Sequence, residues 1–171
     1  MIFCIIGPSG CGKTTVVEEL VKKGYTSVPS YTTRPKRFEN ETGHTFITKE
    51  EFDKLTDIVA YTHFNNYDYC VTKDMLNNCD FYIIDADGIL ELSKHNISFI
   101  TIGLKLSQTD CISRMLMRGD SCSDILDRLQ NDKIKFKNYL NLCDYTIDAN
   151  NSINDIVNQI EEIYNSNKGE N

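Results

Sequence analysis

An α/β fold built on a parallel sheet is what the 171-residue sequence predicts, and three observations predict it. The apolar run Ile2-Phe3-Cys4-Ile5-Ile6 leads directly into the glycine-rich stretch Gly7-Pro8-Ser9-Gly10-Cys11-Gly12-Lys13-Thr14. Behind it, Thr15-Val16-Val17-Glu18-Glu19-Leu20-Val21 carries apolar positions at helical spacing. Further continuous apolar runs then alternate with helical segments, the pattern of strands buried on both faces by crossover helices.

Strand, glycine-rich loop and helix in that order give the G-x-x-x-x-G-K-[ST] spacing a physical meaning. Glycines let successive backbone N–H groups converge on a phosphate, because no Cβ stands in the way. The helix that follows turns its N-terminus toward the same anion. Gly7, Ser9, Gly10, Cys11, Gly12, Lys13, Thr14 and Thr15 are therefore the expected nucleotide-binding residues. Lys13 would lie along the β- and γ-phosphates, and the Thr14 hydroxyl would ligate Mg²⁺. The alternative is a glycine-rich turn that only caps a helix; the spacing and both flanks favour the phosphate.

Composition narrows the function classes. Hydrophobic residues make up 40% and charged residues 25% of the chain, ordinary for one soluble domain with a sizeable core. The net charge of −7 argues against a nucleic-acid polymer as partner, since no basic stripe offsets the repulsion. No apolar run approaches bilayer length. The N-terminal run lacks a basic flank and enters the loop at once, so no signal peptide is expected. Seven cysteines without a C-x-x-C pair fit buried, reduced thiols in a cytoplasmic protein. Cys11 is either a small side chain facing away from the phosphate or a thiol whose oxidation would touch the site.

Taken in order, Gly24 caps the first helix, and Tyr25 to Ser30 reads as a short second strand. Tyr31 to Arg37, polar and basic with a proline, reads as a loop. Thr48-Lys49-Glu50-Glu51 has the capping-box pattern of a short helix. Ile58 to Phe64 and Tyr67 to Val71 read as strands around an Asn65-Asn66 turn, so residues 31 to 72 form a mixed insertion. Lys73 to Asn78 and Ile89 to Lys94 read as helices, and Phe81 to Ile84 and Ile97 to Leu104 as buried strands. A helix from Ser107 to Arg118 is interrupted at Gly119 to Cys122. Ser123 is the expected N-cap of the next, which runs to about Leu142. Tyr145 to Ile147 forms the last strand. A helix capped by Ser152 runs through Tyr164, with a frayed tail after Asn165.

Three constellations add chemistry to the loop. Asp85 closes an apolar strand, where a carboxylate can stand close to Mg²⁺; Asp87 follows two residues later. The alternative for each is a helix N-cap or a solvated carboxylate. Arg34, Lys36 and Arg37 share a loop with the hydroxyls of Ser30, Thr32 and Thr33, and guanidinium groups suit bidentate phosphate binding. Arg114, Arg118 and Arg128 flank the break at 119 to 122, as charges on a closing lid or as surface arginines.

In this order the chain resembles the guanylate kinase family, P-loop enzymes that move the γ-phosphoryl of ATP to GMP. Gly7 to Thr14 matches the family's G-P-S-G-x-G-K loop. Ser30-Tyr31-Thr32-Thr33-Arg34-Pro35-Lys36-Arg37 matches its S-x-T-T-R-x-x-R signature. Ile84-Asp85-Ala86-Asp87-Gly88 is similar to its L-D-x-D-x-x-G strand end. Arg114 to Gly119 followed by Arg128-Leu129 is similar to its R-L-x-x-R-G lid. The resemblance implies a P-loop NTPase three-layer sandwich as one domain, with a core of 1–30 and 73–171, a monophosphate-binding insertion of 31–72 and a helical lid near 118–125. It also implies ATP and Mg²⁺ as cofactors and GMP, dGMP or a related nucleoside monophosphate as acceptor. Ser30, Arg34, Arg37 and Tyr69 would hold the acceptor phosphate, and Asp85 and Asp87 would lie between the substrates. Lys13, Arg118 and Arg128 would act on the phosphates of ATP, with Thr14 and Asp85 at the metal.

The departures gather at the acceptor. Where the family has G-x-x-Y-x-F, this chain reads Gly43-His44-Thr45-Phe46, shortened and without the tyrosine that touches the acceptor phosphate. Ala60 stands where the resemblance implies a guanine-reading glutamate, and Val71 where it implies a hydroxyl. Losing such contacts typically weakens base selection by a few kcal/mol. An active kinase with shifted base preference, a guanylate-kinase-like binding module and a kinase for another small phosphorylated acceptor are the readings this leaves. The intact Lys13 and Thr14 favour an enzyme.

Overall fold

The computed structural model describes residues 1–36, 39–64, 66–77 and 79–168; Arg37 and Asn65 lie outside them. The central strand is β1 (Ile2–Ile6), in a parallel sheet of order β6 (Phe81–Ile83), β1, β7 (Phe99–Lys105), β8 (Tyr145–Asp148). All five residues of β1 are buried, and they divide between two cores. Phe3 and Ile5 pack with Val16, Val17 and Leu20 of α1 (Lys13–Lys22) and with Ile156, Val157 and Ile160 of α7 (Ile153–Lys168). Ile2, Cys4 and Ile6 pack with Ile89 and Leu92 of α4 (Ala86–Leu92) and with Tyr139 of a 3-10 turn (Tyr139–Leu142). Helices therefore cover both faces in three layers, which is why the strand is apolar without alternation.

A second sheet, of order β3 (His44–Phe46), β2 (Ser30–Thr32), β5 (Tyr67–Thr72), β4 (Ile58–Phe64), is drawn entirely from residues 30–72. β2 and β3 are parallel, and the other two pairings are antiparallel. The hairpin from β4 to β5 passes through Asn66 at φ 63°, a left-handed position that asparagine tolerates. The capping box of α2 (Lys49–Phe52) is present, with the Glu51 N–H donating to Thr48 and the Thr48 N–H donating to Glu51. α3 (Lys73–Leu76) leads back to β6. α5 (Gln108–Arg118) ends at Gly119, φ 89°, and α6 (Cys122–Lys135) begins three residues later, making a helical lid.

Several elements depart from expectation. Tyr25 to Ser30 is not a strand: it makes a single bridge, Ser27 to Phe81. Pro29 has no N–H to continue a ladder, and regular pairing resumes only at Ser30. Tyr31 and Thr32, expected in a loop, belong to β2, and the three-residue β3 has no counterpart in the sequence reading. The N-cap of α6 is Ser121, which accepts from the Asp124 N–H, not Ser123. That helix stops at Lys135 rather than near Leu142. α7 runs four residues beyond Tyr164, held there by Tyr164 and Lys168 on Asp80. No helix among the described residues is long and apolar enough to cross a membrane.

Candidate active site

The glycine-rich loop is wedged between β1, β7 and α5. A Cβ on Gly10, which has φ 81°, would stand 2.5 Å from the Cys111 carbonyl, and one on Gly7 would stand 2.8 Å from the Leu104 carbonyl. Only glycine fits the fold at either position. Gly12 precedes α1 in a left-handed conformation with no side chain to cap the helix, and the first turn carries no acidic residue. The first N–H groups of α1 are thereby presented to an external anion, which is what a phosphate cradle requires. Lys13 Nζ donates to the Gly7 and Pro8 carbonyls at 2.6 and 2.9 Å, folded along the loop it would share with a phosphate. Thr14 and Thr15 are exposed on the first turn. The Cys11 side chain is buried in the core, facing away as one of the two readings held. Arg114 is a brace rather than a free charge. It donates to the Cys11 carbonyl at 3.1 Å and the Ala149 carbonyl at 2.7 Å.

The Ser9 N–H, expected to face phosphate, donates instead to Asp132 Oδ2 of α6 at 2.7 Å. Asp132 is 8% exposed, and burial raises its pKa despite the bonds from Ser9. Asp85 caps α4: its Oδ1 accepts from the Gly88 N–H at 2.8 Å. Its Oδ2 accepts from the Thr62 hydroxyl at 2.8 Å and from Lys135 at 3.2 Å. Lys135 also lies 3.0 Å from Asp87. An exposed hydroxyl on α1 and a carboxylate at the end of a neighbouring strand are the oxygen donors that suit Mg²⁺, which keeps waters and substrate phosphates as its other ligands.

Ser30, Arg34 and Tyr69 come together on the second sheet. Arg34 is 7% exposed and holds Glu41 with both terminal nitrogens, at 3.1 and 2.6 Å. Burial works against its charge, but hydrogen bonding to Glu41 and Tyr69 more than offsets this, and its pKa rises. The guanidinium lies 5.3 Å over the Phe46 ring. His44 Nδ1 is 2.8 Å from Ser30 Oγ, and the imidazole packs edge-on against Tyr69 at 5.6 Å. Arg118, at the end of α5, is bound bidentately by Asp120, the main reason its pKa is raised.

Arg128 and Arg34 line the same cleft of about 240 Å³, with Lys36, Tyr69 and Asp120. Two side-chain donors among the described residues are buried without an acceptor, and they are Nε of Arg34 and Nε of Arg128. Asp120 Oδ2 approaches the second only to 3.9 Å, too far for a hydrogen bond. An orphaned buried donor costs about 1–3 kcal/mol, and both belong to arginines that line this one cleft, an arrangement that suits an anion. A larger cleft of about 540 Å³ opens between Met1, Lys73 and Lys168 at the other end of the strands. Neither the glycine-rich loop nor these arginines line it, and parallel α/β sheets bind ligands at the carboxyl ends of their strands.

The positions that the resemblance assigns to the acceptor base are buried and apolar. Ala60 and Val71 face each other across β4 and β5 and are 1% and 0% exposed, packed with Ile84, Ala86 and Ile89. Asp132, Lys135 and Glu41 were not singled out by the sequence reading. For the first two a signal existed: Arg128, Asp132 and Lys135 stand at i, i+4 and i+7, one face of α6.

A phosphate loop on a parallel sheet, a helical lid and an arginine-lined cleft define a P-loop protein of the AAA-domain class, whose family model matches residues 3–136. More particularly, the chain belongs to the guanylate kinase family. It is 32% identical to a guanylate kinase of Thermotoga maritima over 96% of this chain and 86% of that protein. It is 29% identical to one of Clostridium tetani (98% and 86% covered) and 27% identical to one of Mycoplasmoides gallisepticum (91% and 89%). The fold matches a crystal structure of guanylate kinase from Anaplasma phagocytophilum with a TM-score of 0.76 at 20% identity, over 98% of this chain and 85% of that one.

Proposed function

We propose that this chain is a cytoplasmic nucleoside monophosphate kinase, transferring the γ-phosphoryl of Mg·ATP to GMP or dGMP. The observation that carries the reading is the one cleft that Arg34 and Arg128 both line, each with a buried Nε–H that has no acceptor. In this reading Ser30, at the edge of the core, and Arg34, Arg37 and Tyr69 of residues 31–72 bind the acceptor phosphate, and the core binds the nucleotide through Gly7 to Thr15. Mg·ATP, when bound, supplies the electrophilic phosphoryl group. Lys13, now on the loop carbonyls, would neutralise phosphate charge, and Thr14 and Asp85 would hold the metal. Arg118 would exchange Asp120 for the oxygens on which charge develops, and Arg128 would add its unpaired donor to them. Asp87 lies between the substrates. Holding two phosphates in line supplies most of the rate, and lid closure over the 119–121 turn excludes water.

Because Ala60 and Val71 are buried and apolar, a second reading of the acceptor has its own support: a related nucleoside monophosphate read by other groups. The test common to both is Lys13→Ala. Acceptor-dependent ADP release should fall at least 100-fold while the fold, followed by circular dichroism, is retained. Near-normal turnover in that variant would remove the assignment.

A further inference from the structure

We infer that His44 is an acceptor-phosphate ligand, and that it makes acceptor binding depend on pH near neutrality; this rests on the kinase reading above. β2 and β3 run parallel with Ser30 opposite His44. That register sets the imidazole beside the hydroxyl, with Nδ1 2.8 Å from Ser30 Oγ. Tyr69, from β5 on the far side of β2, closes against the same ring at 5.6 Å. Phe46, two residues along β3, packs edge-on at 6.0 Å and carries the Arg34 guanidinium over its face. Ser30, Tyr69 and Arg34 are the described members of the proposed phosphate site, and His44 is the side chain in contact with two of them.

Histidine brings chemistry that neither a hydroxyl nor a phenol has. As imidazolium it adds a positive charge and a charge-assisted donor to a phosphate dianion. Among the described residues, the charged or titratable groups around the cluster include Tyr69 from β5, Arg34 and Lys36 over Phe46, and Glu41, which pairs with Arg34. Imidazole titrates near 6.5 unperturbed, and a bound dianion favours its protonated form. The sign follows: the contribution of His44 is largest on the acidic side of neutrality and falls as pH rises through its titration. A monoester's own second ionisation, near 6, overlaps this range, so the contribution is isolated as the difference between wild type and variant.

The test compares the wild-type chain with His44→Gln and His44→Tyr, using GMP and ATP between pH 6 and 8.5. His44→Gln should raise the KM for GMP about 10-fold at pH 6.5, equivalent to about 1.4 kcal/mol. The ratio should narrow to about 3-fold at pH 8.5, where the ring is neutral but still polar. The kcat should stay within about 2-fold, because the contact is made equally in the ground and transition states. The KM for ATP should not move, and His44→Tyr should recover GMP affinity without the pH dependence. A ratio that is flat with pH, or an equal rise in the KM for ATP, overturns the proposal. A second readout needs no turnover. The imidazole resonances of the wild-type protein, titrated by NMR with and without GMP, should show a raised titration midpoint when GMP is present. An unchanged midpoint overturns His44 as a ligand. Absence of turnover with a shifted midpoint overturns the kinase reading alone.

Discussion

Arg34, the proposed ligand of the acceptor phosphate, owes much of its behaviour to a neighbour that its own motif does not include. Its guanidinium is buried, engaged by both oxygens of Glu41 and still left with one unpaired N–H. Removing one partner of such a pair leaves an uncompensated buried charge and costs about 3–5 kcal/mol, so an alanine variant would confuse stability with function. Arg34→Lys keeps the charge and loses the planar fork. It should raise the KM for the acceptor about 10-fold or more while leaving the KM for ATP within about 2-fold. A melting curve measured beside the kinetics separates folding from binding, and an equal effect on both substrates would place Arg34 outside the acceptor site. Residue type made Arg34, Lys13 and Asp85 legible in the sequence, because few roles explain an arginine beside threonines or a lysine after glycines. Glu41 was not legible. A carboxylate seven residues away becomes a partner only when the chain turns back on itself.

At the scale of elements, the signals that were read correctly are local ones. The capping box of α2 and the turn before Tyr67 each depend on a few neighbouring residues. The missed element, β3, is three residues long and has no period to detect; it exists because β2 offers an edge. The β4–β5 hairpin is locked by Asp68, which accepts from Lys49, Tyr61 and His63. Burial alone would raise the Asp68 pKa, but these hydrogen bonds, His63 first, outweigh it and hold the carboxyl at about 2. A depressed carboxyl contributes stability that is fully present above the unfolded value near 4 and is lost as pH falls through about 2. Asp68→Asn should therefore be clearly less stable than wild type at pH 5, with the gap closing toward pH 2. Urea midpoints across that range check it, and a pH-independent gap would mean that the carboxylate charge is not what locks the hairpin.

On the scale of the whole molecule, the parallel sheet and its two helical layers followed from apolar runs that had to be covered on both faces. The lid and the second sheet followed from motif order, whereas the contacts joining them did not. Asp132 on Ser9 of the glycine-rich loop and Lys135 on Asp85 and Asp87 tie α6 to the loop and to the start of α4. Only the folded register brings those residues within reach of each other. At the positions that the resemblance assigns to base reading, the departure seen in the sequence persists in the structure: Ala60 and Val71 are paired, buried and apolar, with no side-chain donor or acceptor to offer a base. The first measurement to make is ADP release from ATP against a panel of ribo- and deoxyribonucleoside monophosphates. A nucleoside monophosphate kinase will show acceptor-dependent turnover, expected to be fastest with GMP or dGMP. No acceptor-dependent turnover with any member of the panel, in a protein that still binds ATP, would contradict that reading.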